Sequence, residues 1–129
     1  MKETLREGWE FLFTPSELLG ACKERRDSHA AHETYWDMKY GTWNQEMTDG
    51  ATVDEVPITG GVQRVLRYDP GLQSKVNEAK ARRDGHSHAR VRFERWVLAL
   101  EKKVTDGMEL RLRFGDVTFF FEPIEELPE

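Results

Sequence analysis

Two places in this chain all but dictate the start of a helix. In Thr14-Pro15-Ser16-Glu17 a threonine can cap, proline occupies the first helical position where its missing N–H costs nothing, and Glu17 can return a bond to the cap. Asp69-Pro70 repeats the arrangement. With starts fixed near residues 15 and 70, the rest of the chain has to be organised around two helices.

The first is predicted to run to about Tyr40 and stop near Gly41. At 100° per residue its inner stripe is Leu18, Cys22, Arg25, His29, His32, Trp36, Tyr40 and Trp43, apolar at its start, aromatic at its end and titratable in its middle. Burying Arg25, His29 and His32 without partners costs several kcal/mol, so that turn must lie at a cleft or meet other polar groups. The second helix, with Leu72, Val76 and Ala79 inward, is predicted to stop near Asp84-Gly85. A third, from about residue 87 to 103, follows from Ala89, Phe93, Val97, Leu100 and Val104, which recur at helical spacing.

Between the first two helices, Gly50, Pro57, Gly60 and Gly61 punctuate a long irregular connection with one short extended piece. Residues 62–68 then alternate as a strand. Near the C-terminus Met108, Leu110, Leu112 and Phe114 alternate with Glu109, Arg111 and Arg113, Gly115-Asp116 offers a turn, and residues 117–121 read as a partner strand. Two strands alone are marginal in water, and residues 9–13 are the nearest candidate for a third. The expected fold is α+β: three helices packed on a small antiparallel sheet with a C-terminal β-hairpin. A length of 129 residues suits a single domain, here residues 1–121. Residues 122–129, with two prolines and four acids, form an acidic tail.

The first residues mix acids with bases and lack an apolar core, and no apolar run approaches the roughly 20 residues that span a bilayer. A soluble, cytoplasmic protein with no membrane partner is the expectation. Cys22 is the sole cysteine, which excludes an intrachain disulfide and a cysteine-rich zinc site; its place on the apolar stripe makes it a small core residue.

Three function classes compete. His29, His32, Glu33, His86 and His88 supply imidazoles and a carboxylate of the kind that bind zinc or another first-row metal, which is the reading as a metal-dependent enzyme. It assumes that His86-Ser87-His88 is extended, so that both rings address one ligand. The spacing matches no metalloprotease helix. Residues 62–95 carry nine Lys/Arg against four Asp/Glu in a chain of net charge −5, so Arg82, Arg83, Arg90 and Arg92 form a candidate anion-binding corner at the start of the third helix, for nucleic acid or another polyanion. The leading reading is a non-catalytic interaction or accessory module of inhibitor, immunity or adaptor type, bacterial or phage, that needs no cofactor and acts by surface complementarity. It follows from the lack of a catalytic motif and a supply of Trp, Tyr and Arg, the residue types enriched at interface hot spots. Its expected contact is the open edge of strand 117–121, through Phe119, Phe120 and Phe121, with a protein partner or a second copy in a homodimer.

Overall fold

A computed structural model describes residues 10–104, 107 and 109–128. In chain order the elements are β1 (Glu10–Phe13), α1 (Pro15–Asp49), β2 (Thr52–Ile58), β3 (Gly61–Arg67), α2 (Pro70–Lys103), β4 (Leu110–Arg113) and α3 (Phe114–Phe120). Among the described residues the class is α+β, with three helices and two two-stranded antiparallel sheets, β1–β4 and β2–β3. No described helix is long and apolar enough to cross a membrane. Two compact units share the chain, one made of residues up to Ala31 and from His86 onward, the other of His32–Gly85. Both α1 and α2 contribute a segment to each.

Both helix starts form as the sequence dictates. The Glu17 N–H donates to Thr14 Oγ1 at 3.2 Å while the Thr14 hydroxyl donates to the Glu17 carboxylate, and Asp69 Oδ1 accepts from the N–H groups of Gly71 and Leu72. Both stops fail. Gly41 and Gly85 lie inside continuous helices, and the second and third predicted helices are one, α2. A lone glycine costs a helix only about 1 kcal/mol, which neighbours can offset: beyond Gly41 the Trp43 ring takes the ammonium groups of Lys39 and Lys75 at 5.7 and 5.6 Å, and Thr48 and Gln45 bond along the last turns.

In the first unit the core joins Leu18 and Cys22 of α1 to Phe93, Val97 and Leu100 of α2, closed by Leu112 of β4 and Phe120 of α3. Residues 10–13 pair with β4, Phe11 against Leu112 and Phe13 against Leu110, while Glu10 and Arg111 approach to 3.8 Å. The candidate third strand is thus real, although Trp9 and Met108 lie outside the described residues. The expected second strand of the C-terminal hairpin is corrected: after Arg113 the chain reverses into α3. The Arg113 N–H donates to the Asp116 carboxylate at 3.3 Å and the Thr118 hydroxyl to the Phe114 carbonyl at 3.0 Å. Phe119 then stacks on Phe93 with ring centroids 4.8 Å apart, and Phe120 meets Trp96 edge-on at 5.0 Å. Packing overrides the strand propensity of Val-Thr-Phe-Phe-Phe.

In the second unit Trp36, Val76 and Ala79 are the buried apolar residues. Its sheet is a plain hairpin in register from Thr52↔Arg67 to Ile58↔Gly61. Gly60 turns it at φ 89°, a conformation that a residue with a Cβ seldom adopts. Residues 62–68 were expected as a strand and appear as β3; the extended piece within the connection is β2.

Candidate functional site

The titratable middle of the α1 stripe has its partners. Arg25 donates from Nε to the Glu122 carbonyl at 3.0 Å and from Nη1 to the Ala21 carbonyl at 3.1 Å, with its guanidinium 5.6 Å from the centre of the Phe121 ring. His29 lies flat against Phe93 and uses both nitrogens: Nε2 is 2.8 Å from Glu122 Oε1, and Nδ1 is 2.9 Å from Nδ1 of His86. Among the described residues no buried side-chain nitrogen or oxygen lacks a hydrogen-bond partner, so the cost of burying these groups is met.

Geometry decides what the histidine pair can do. His29 Nε2 and Glu122 Oε1 share one hydrogen bond and His29 Nδ1 and His86 Nδ1 another, with the donor in each set by the tautomers of the two rings. The ring centroids stand 5.2 Å apart, which is the nitrogen separation plus one ring radius at each end. Both lone-pair axes therefore lie on one line with a single proton between them. Two ligands of one metal ion need axes that converge off that line, so chelation by this pair requires a ring to turn. Glu122, His29 and His86 form a hydrogen-bonded chain.

The remaining histidines are placed elsewhere. His86-Ser87-His88 is helical, not extended, so residues two apart point about 200° apart, and His88 is exposed while His86 is half-buried. That corrects the premise on which the two rings were paired. His32, buried, and Glu33, half-buried, belong to the other unit. Among the described residues no group of three or more His, Cys, Asp or Glu is arranged to hold a metal ion. Cys22 is fully buried, and burial pushes its thiol up to about 11 against a smaller opposing pull from Arg25. It is a core residue.

The anion-binding corner loses its helix N-terminus, because α2 runs unbroken through residue 87. Arg82 pairs with Glu78 at 3.0 Å and lies 5.1 Å over the Trp36 ring. Arg83 pairs with Asp37 at 3.0 Å and Asp84 at 3.2 Å, over the Tyr40 ring at 4.8 Å, and the hydrogen bond to Asp37, then that to Asp84, pushes its pKa up further. Arg90 and Arg92 fall in the other unit, Arg90 half-buried and Arg92 exposed.

The open edge expected at residues 117–121 is absent, since this stretch is α3 with Phe120 buried and Phe119 packed against the core; Phe121 alone of the three is exposed. Among the described residues, exposed apolar strand surface lies instead on the β2–β3 hairpin, where every residue of β3 is exposed and Val53, Ile58, Val62 and Leu66 each keep more than half of their surface in water. One strand of it, residues 62–68, is legible in the sequence; the pairing with residues 52–58 through a turn at Thr59-Gly60 is not, because Gly50, Pro57, Gly60 and Gly61 read as punctuation of an irregular connection.

No family model, curated protein or solved structure matches this chain.

Proposed function

We propose that the protein is a non-catalytic interaction module that docks through the β2–β3 hairpin. The single observation that carries this reading is apolar surface exposed on both faces of a sheet that has, among the described residues, no third strand. On one face the exposed Val53, Pro57, Val62 and Leu66 surround the Glu55–Arg64 pair; on the other the exposed Ile58 and Val65 and the half-buried Val56 surround the Asp54–Arg67 pair. A lone two-stranded hairpin is marginal in water, and contiguous exposed apolar surface on a protein marks an interaction site. The helical part of the same unit is held by Arg82 on Trp36, Arg83 on Tyr40 and Lys75 on Trp43.

The test places a photo-crosslinking amino acid at Val53 or Leu66 in cells that make the protein, with Leu98, equally exposed at 56% but in the other unit, as the control. A discrete adduct at 53 and 66, lost in Val53→Asp with Leu66→Asp, is expected. Adducts no more discrete than those at 98 overturn the reading.

A further inference from the structure

We infer that the hairpin's partner is a second copy of this chain, added head to tail, the β3 edge of one copy against the β2 edge of the next. This deepens the docking reading above and rests on it. The first ground is that both edges are open among the described residues, where β2 and β3 have only each other as strand neighbours. A two-residue turn makes the Ile58–Gly61 pair exchange its hydrogen bonds inward, and alternation from there turns the backbone groups of Val53 and Glu55 outward on β2 and those of Val62, Arg64 and Leu66 outward on β3. Pro57 has no N–H to give, so the outer edge of β2 is usable away from the turn and blunted next to it.

The second ground is charge. β2 carries Asp54 and Glu55 with no base, and β3 carries Arg64 and Arg67 with no acid. Within one hairpin these already pair, Arg64 with Glu55 at 4.0 Å and Arg67 with Asp54. A two-fold dimer through β2 sets acids against acids, and one through β3 sets arginines against arginines; like charges across a strand pair are destabilising. Joining β3 to the next β2 instead places each arginine row between two acidic rows, in the antiparallel register the hairpin itself uses. Val62 and Leu66 then come beside Pro57 and Val53 of the neighbouring copy, extending both apolar faces. Such a contact is heterologous, uses a different edge on each copy, and continues past a dimer until it closes a ring or runs on as a filament.

The experiment uses the full chain in analytical ultracentrifugation across a concentration series, where species larger than dimers are expected to grow with concentration. A charge-swapped variant, Asp54→Arg, Glu55→Arg, Arg64→Glu and Arg67→Glu, keeps every cross-strand pair and is expected to assemble with itself. It should not mix with the wild type, because acid would then meet acid and base meet base; energy transfer between labelled wild-type and swapped chains is expected at least tenfold below that between labelled wild-type chains. Should the swapped chain not fold, Asp54→Arg with Glu55→Arg in one sample and Arg64→Glu with Arg67→Glu in another are each expected to stay monomeric and to assemble when combined. A wild type that is monomeric throughout, or stops at a dimer, overturns the inference, as do free mixing of swapped with wild-type chains and failure of the half-swapped chains to restore each other. A monomeric wild type that still gives discrete crosslinks from Val53 to a different protein leaves the docking reading standing and removes only the second copy.

Discussion

The two units are stabilised by different physics. In the unit formed by residues up to Ala31 and from His86 onward, Leu18, Cys22, Phe93, Val97, Leu100, Leu112 and Phe120 make one buried apolar cluster. Its stability comes from removing apolar surface from water, about 1.5 to 3 kcal/mol for each large side chain. In the unit His32–Gly85 only Trp36, Val76 and Ala79 are buried apolar residues, and the aromatic rings are covered by cations instead, Trp36 by Arg82, Tyr40 by Arg83, Trp43 by Lys39 and Lys75. Such contacts contribute about 0.5 to 1 kcal/mol each at exposed sites. One unit is therefore held by a conventional core, and the other by three buried apolar residues and cation–ring contacts, with a hairpin whose apolar side chains stay largely in water.

The largest effect should come from the first unit. Phe93→Ala removes a ring that stacks on both His29 and Phe119, and we expect a loss of about 3 to 5 kcal/mol in chemical denaturation. Trp36→Ala in the second unit is expected to cost about 3 kcal/mol, at the low end of that range, because part of its ring is already covered by a solvated guanidinium. If Trp36→Ala proves as costly as Phe93→Ala or more so, the second unit has a core of its own and the contrast fails.

What sequence reading recovered follows from how local each feature is. The caps at Thr14 and Asp69 are set by four consecutive residues, and the stripe from Leu18 to Trp43 by a period that any helix imposes; both survive folding unchanged. The spacing of Ala89, Phe93, Val97 and Leu100 survives for the same reason. Gly41 and Gly85 misled because a glycine ends a helix only when the chain has reason to turn, and neither has an obstacle near its missing side chain. Residues 117–121 misled because the rings they meet, Phe93 and Trp96, lie more than twenty positions away. The same distance hid the site: nothing near His29 in sequence shows that Glu122 and His86 bracket it, and the composition of residues 52–67 gives no sign that their apolar side chains stay in water.

Cys22 sharpens the comparison through pH. Burial raises its thiol from an ordinary value of 9.0 to about 11 in the folded chain. The unfolded chain therefore loses this proton first as pH rises, so the contribution of the buried thiol is complete below pH 9 and is lost on going from there through pH 11. Comparing the wild type with Cys22→Ala isolates that slope from the lysines and tyrosines, and about 2 kcal/mol of difference is expected to disappear across the interval. Alkylation of Cys22 at neutral pH should proceed only through opening of the first unit. A thiol that reacts at the rate of a free cysteine there would mean that the better-packed unit is not the one described.

The smallest effect tests whether the two units open separately. Gly20 lies in the α1 segment of the first unit and Gly41 in that of the second, both exposed and with no atom within 4 Å of where a Cβ would stand. Either glycine to alanine removes the helix penalty of a residue with excess freedom when unfolded, so each substitution should stabilise its surroundings by about 0.5 to 1 kcal/mol. Native-state hydrogen exchange reads where that gain appears. With so few buried apolar residues, the His32–Gly85 unit should open below the free energy of global unfolding, and Gly41→Ala should slow exchange in its helical amides while leaving those around Leu18 and Phe93 unchanged in the same sub-global regime. Gly20→Ala should do the reverse. If Gly41→Ala protects amides of both units equally, α1 and α2 transmit the gain along their length and the chain opens as one cooperative body, with the difference in side-chain chemistry averaged out.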